Sequence, residues 1–112
     1  MVMRKYCLAL DLRDDPALIT AYEEHHRHVW PEIIQSIRDA GIVQMEIYRV
    51  ATRLFMIMEV SDTFSFEAKA KADAADPAVQ RWENLMSNYQ QHLSFAPANT
   101  KWVLMDRIFK LT

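Results

Sequence analysis

Three of the four histidines in this chain fall within one stretch, Y-E-E-H-H-R-H-V-W-P-E, from Tyr22 to Glu32. Leu18, Tyr22, His26 and Trp30 stand four residues apart, so on a helix they share one stripe. Leu18 marks that stripe as the inward one, and it carries His26 toward the interior between aromatic side chains. An imidazole titrates near neutral pH and burial tunes it, so this placement suits general acid/base work. The same spacing is also met by a buried histidine satisfied by one hydrogen bond.

The neighbouring histidines do not extend the constellation. His25 and His28 project from other faces of the helix, and positions i, i+1 and i+3 do not converge on one ion. Neither H-E-x-x-H nor a Cys-His spacing occurs, so no metal site is expected. His92 and Cys7 have no partner that the sequence identifies. Glu23, Glu24 and the run Glu67 to Lys71 read as solvated faces. Trp82, preceded by Gln80-Arg81 and followed by Glu83, has two readings. One is a core aromatic. The other is a sugar platform, an indole stacking on the C–H patches of a pyranose while Arg and Glu side chains bond its hydroxyls. Met45 reads as core, whereas Tyr48 and Glu46 share one strand parity and suit pocket lining or dimer contacts.

The elements that must position these groups follow from the apolar periodicity. Arg4 to Leu12 alternates as a strand, and Asp14-Asp15-Pro16 opens a helix that runs to about His28. Pro31 disfavours helical geometry at Trp30, so a second helix spans Pro31 to Ala40 and ends at Gly41 as a left-handed cap. I-V-Q-M-E-I-Y-R-V and R-L-F-M-I-M-E-V, separated by Ala51-Thr52, predict an antiparallel hairpin. Asp62 or Thr63 is expected to cap a helix over Phe64 to Ala74. Asp76-Pro77 starts another, to about Gln91, and a last strand is expected over Lys101 to Leu111. The order β-α-β-β-α-β is the ferredoxin-like arrangement of an α+β domain with a four-stranded antiparallel sheet. Its helices lie on one face, and the Phe-, Ile- and Met-rich second face calls for cover, which a homodimer of the dimeric α+β barrel kind supplies.

Composition narrows the function classes. The chain of 112 residues is expected to form one domain, 1–112, and its net charge is −2 with scattered basic residues. Nucleic acid is an unexpected partner for such a surface. No apolar run reaches the roughly 18–20 residues a membrane span needs. The apolar N-terminal run lacks a small-residue cleavage site, so no signal peptide is expected. The single cysteine, Cys7, fits a buried thiol in a reducing cytoplasm. With one glycine, the chain has no G-x-G-x-x-G or G-K-[ST] loop, and nucleotide cofactors are not expected.

At these residues the sequence resembles the L-rhamnose mutarotase family. The resemblance spans nearly the whole chain: Arg4-Lys5 opening the first strand, Y-x-x-x-H-x-x-x-W-P-E from Tyr22, G-I-x-x-x-x-I-Y from Gly41, Q-R-W ending at Trp82, and V-L-M-D-R-I-F from Val103. It implies a cofactor-free, ferredoxin-like homodimer that interconverts the α and β anomers of a 6-deoxy sugar. By that resemblance His26 is the catalytic proton donor and Tyr22 a substrate ligand. The family's other ligand positions fall on Met45, Trp82 and Glu83, with Tyr48 a further pocket candidate. Methionine at 45 and W-E at 82–83 depart from the tyrosine and W-W of the rhamnose pattern. A site built around particular hydroxyls rejects the wrong epimer, so the departure favours L-fucose over L-rhamnose. The competing expectations are a cofactor-free monooxygenase or isomerase on the same scaffold, and a non-catalytic dimer that binds a small ligand.

Overall fold

In a computed structural model, which describes residues 3–112, strand β1 (Arg4–Leu12) is followed by helices α1 (Pro16–Arg27) and α2 (Pro31–Asp39). Asp15 caps α1 by accepting from the Ala17 and Leu18 amides at 2.9 and 3.3 Å, and Pro16 takes the first turn, where no amide hydrogen is needed. The break at Trp30-Pro31 is present. Gly41 follows α2 with φ +95°, a conformation that side chains with a Cβ rarely adopt.

Strands β2 (Ile42–Val50) and β3 (Arg53–Val60) form the hairpin, with Val50 opposite Arg53 and Ala51 at φ 51° in the turn. Helix α3 (Phe66–Ala75) starts two residues later than expected. Ser65, not Asp62 or Thr63, caps it, its Oγ accepting from Ala68 N at 3.2 Å. The delay has a packing cause, because Phe64 is buried at 4 % exposure and serves as an anchor ahead of the helix. Helix α4 (Pro77–Ser87) is capped by Asp76 and ends four residues short of the expected Gln91.

The chain leaves α4 early because residues 90–91 become a strand, β4 (Gln90–Gln91), on the free edge of β1. Strand β5 (Val103–Leu104) continues along the same edge, opposite Ala9 and Leu8. The expected last strand, Lys101 to Leu111, is therefore confined to two residues, with β4 supplying the rest of that edge. Past Met105, whose amide donates to Cys7 O at 2.8 Å, the tail has no ladder partner among the described residues and stays exposed. The sheet runs β2-β3-β1-β4, with β5 also on β1, all antiparallel. That is the ferredoxin-like order, with its fourth position split in two.

Register decides which face is core. Leu8, Leu10 and Leu12 on β1 and Leu54, Met56, Met58 and Val60 on β3 point toward the helices and are buried. Tyr22, Ile33, Val79, Trp82 and Met86 meet them from α1, α2 and α4. Leu10 and Val60 are fully enclosed, and burying a side chain of that size contributes about 1.5–3 kcal/mol. Cys7, Ala9, Phe55 and Ile57 alternate onto the opposite face, which no helix among the described residues covers. No helix among the described residues is long and apolar enough to cross a membrane.

Candidate active site

Between the helices and the sheet lies an open-mouthed cavity of about 730 Å³. Its floor is Leu8, Met56 and Met58, and its walls include Ile33, Val79, Met86 and Trp102. Five of the six predicted site residues line it: Tyr22, His26, Met45, Trp82 and Glu83. The hydrophobic alternation of β2 turns Met45 inward, opposite Met58.

Tyr48 does not belong to this group. It pairs with Phe55, on the face turned away from the helices, and its hydroxyl donates to Glu46 at 2.7 Å. The carboxylate beside it holds its pKa above the usual phenol value. Glu46 shares that outer face, opposite Ile57, and like Tyr48 does not line the cavity. Strand parity explains the correction: from Met45, every second residue faces in, and positions 46 and 48 have the other parity.

Helix α1 holds His26 as the stripe requires. Its Nδ1 lies 2.9 Å from the carbonyl oxygen of Tyr22, one turn earlier. A carbonyl only accepts, so Nδ1 carries the hydrogen and the neutral ring keeps its lone pair on Nε2. The imidazole is held between two aromatic rings, Tyr22 at 4.4 Å and Trp82 at 5.7 Å between centroids. Trp30, expected beside His26, instead leaves α1 at the Pro31 break and packs edge-on against Trp82 at 5.1 Å. Burial pushes the His26 pKa below 6.5; the Tyr22 carbonyl opposes that shift, and nearby His25 adds to it. His26 therefore rests neutral at pH 7.

The remaining polar groups sort by position. Burial raises the Tyr22 hydroxyl to about 12, so it stays a neutral hydrogen-bonding group; the Gln90 side chain partly offsets the shift and the Glu83 charge adds to it. Glu83 is held from behind by Lys101, whose Nζ lies 3.4 Å from Oε2, 3.2 Å from the Glu83 carbonyl and 2.6 Å from Ser87 Oγ. His25 reaches Tyr89 Oη at 3.1 Å and takes no place in the lining. His28 and Cys7 are likewise outside it.

Gln90 and Trp102 line the cavity and were not anticipated. Gln90 was masked by the overlong helix, although Asn88, a residue that favours helix ends, stands at the cap of α4. Trp102 had no signal, because its contacts depend on how the tail returns to β1.

A concave, mostly apolar chamber with one tuned imidazole and a few hydroxyl-bonding groups defines a small-molecule acid/base site. The L-rhamnose mutarotase profile matches residues 5–111, and the chain belongs to the L-rhamnose mutarotase family, a family of carbohydrate isomerases. It is 45 % identical over its full length to an L-fucose mutarotase of Xanthomonas campestris, covering 91 % of that protein. Identity to an L-rhamnose mutarotase of Enterococcus faecalis is 25 %, over 81 % of this chain and 82 % of the relative. The crystal structure of an L-rhamnose mutarotase from Formosa agariphila shares the fold, with a TM-score of 0.71 at 22 % identity, 97 % of this chain and 99 % of that one being covered.

Proposed function

We propose that this protein is a mutarotase for a 6-deoxy-L-hexose, with L-fucose favoured over L-rhamnose and His26 as its proton carrier. The observation that carries the reading is the neutral, half-buried imidazole whose Nδ1 is engaged and whose Nε2 is left for a ligand inside an aromatic-walled cavity.

The chemistry needs only protons. Nε2 of His26 removes the hydrogen of the anomeric hydroxyl as the C1–O5 bond breaks and a C1=O bond forms. The ring oxygen leaves as an alkoxide and takes the proton back from the imidazolium. Both oxygens are attached to C1, so one nitrogen serves both. The C1–C2 bond of the free aldehyde then rotates, and the same steps in reverse close the ring on the other face. Trp82 offers an indole face to the sugar's C–H patches, and Tyr22 and Glu83 bond its hydroxyls. Met45 adds bulk without a polar demand.

L-fucose is favoured on two grounds: a carboxylate at 83 with methionine at 45 asks for a different hydroxyl pattern from an all-aromatic wall, and the relative at 45 % identity is named for L-fucose. A second copy of this chain is the expected partner. The uncovered face presents Ala9, Phe55, Ile57 and Val103, and the tail holds out Ile108, Phe109 and Leu111 at 96, 75 and 84 % exposure. Half-buried Cys7, unpaired, fits a reducing cytoplasm.

Saturation-transfer NMR on each sugar at anomeric equilibrium tests the reading. Protein-dependent transfer between the anomeric protons is expected, stronger for L-fucose. No transfer on either sugar overturns it, and transfer on L-rhamnose alone discards the preference.

A further inference from the structure

Gln90 is 7 % exposed, the only polar or charged residue buried to that degree among those described. Its Oε1 is also the one buried side-chain oxygen or nitrogen without a hydrogen-bond partner among the described residues. Buried acceptors are seldom left unpaired, because each costs about 1–3 kcal/mol, and an exception asks for a reason. The backbone supplies the position: Gln90 pairs with Leu12, whose side chain points toward the helices, so Gln90 points there too. Its side chain lines the same cavity as His26 and Tyr22.

We infer that Gln90 is a sugar ligand, its side-chain oxygen accepting a hydrogen bond from one hydroxyl of the substrate at the inner end of the cavity. Oε1 has no partner among the described residues, so the protein itself leaves one acceptor for something that enters. The terminal torsion of glutamine is soft, and a turn about it brings Oε1 from its sealed resting position onto a bound hydroxyl. A hydroxylated ligand satisfies this atom and an apolar one does not, which also makes Gln90 a determinant of specificity. The main chain holds the residue from the other side, with Arg13 Nε donating to the Gln90 carbonyl at 3.3 Å and Arg13 N to the Tyr89 carbonyl at 2.9 Å. The assignment rests on the mutarotase reading.

Anomeric exchange by NMR as a function of L-fucose concentration, for the wild-type protein and Gln90→Met, tests it, with thermal melting of both. Methionine matches the volume and removes the amide. KM is expected to rise about tenfold, the loss falling on KM rather than kcat, while the melting temperature holds or rises because an unpaired acceptor has gone. On a series of monodeoxy L-fucose analogues, the wild type and the variant are expected to converge for the one analogue lacking the hydroxyl that Oε1 accepts from. An unchanged KM overturns the inference, as does a KM gap that persists undiminished across the deoxy series. A lowered melting temperature with KM unchanged in the folded fraction assigns Gln90 to structure alone and also overturns it. Wild-type protein without exchange on either L-fucose or L-rhamnose overturns the mutarotase reading and this inference together.

Discussion

His26 Nδ1 is fixed on the carbonyl oxygen of Tyr22 at 2.9 Å, and this bond sets which nitrogen of the ring meets a ligand. The partner is main chain, supplied by the helix itself four residues earlier. The tautomer is thus built into α1 and does not depend on another side chain. Replacing His26 with alanine is expected to reduce protein-dependent anomeric exchange by about 10²- to 10⁴-fold, the usual worth of a positioned acid/base group. Circular dichroism is expected to report an intact fold. Full exchange in the folded variant removes His26 from the mechanism.

The pH profile follows from the same burial. The His26 imidazolium is disfavoured, chiefly by desolvation, so the folded pKa lies below 6.5. In the proposed mechanism the neutral base is the active form, and kcat/KM is expected to stay level through neutral pH and to fall on the acid side with an apparent pKa below 6.5. Stability carries the same sign. As pH drops through the unfolded value, the unfolded chain takes up the proton first, and the stability contributed by neutral His26 is lost until the folded pKa is passed. The difference between wild-type and His26→Asn denaturation curves against pH isolates this residue. A midpoint at or above 6.5 contradicts the burial argument.

Glu83 lines the cavity and Lys101 holds it from behind; both groups are partly exposed, so their pairing matters for orientation rather than for stability. Glu83→Trp is expected to shift the exchange ratio toward L-rhamnose. Lys101→Met, which frees the carboxylate from behind, is expected to raise KM for L-fucose several-fold with the melting temperature little changed, and Lys101→Arg to recover part of the loss. An unchanged sugar ratio in Glu83→Trp sinks the idea that this carboxylate selects the substrate.

Gly41 offers a test of the fold away from the site. A Cβ there would lie 2.9 Å from Ser61 Oγ, and the backbone is at φ +95°. Gly41→Ala is expected to cost about 1–2 kcal/mol from the backbone alone, read as a lowered midpoint in urea. An unchanged midpoint shows that the α2–β2 junction relaxes without cost.

The exposed tail bears on assembly. If Ile108, Phe109 and Leu111 contact a second copy, removing residues 106–112 is expected to shift sedimentation equilibrium from dimer toward monomer. A full-length protein that sediments as a monomer at every concentration removes the homodimer.

The amino-acid sequence by itself determined the elements with strong local signals. Asp15-Pro16 and Asp76-Pro77 start helices because a carboxylate can accept the free amides of a first turn and proline needs none. Gly41 ends α2 because a left-handed residue is needed there, and the stripe through Tyr22 and His26 faces inward because a helix repeats nearly every four residues. Those facts, with the motif from Tyr22 to Glu32, were enough to indicate the family. Long-range pairing decided the rest. The turn of helix expected through Gln91 yields to a ladder with Leu12 on β1, and no local signal measures the strength of a partner that far away in the chain. That exchange puts Gln90 into the cavity. Strand register, likewise, turns Met45 in and Tyr48 out, since a bulge near Ile42 and Gln44 sets the phase of β2 against β3. A residue's type can be read from the chain, but the face it presents depends on which strand lies beside it.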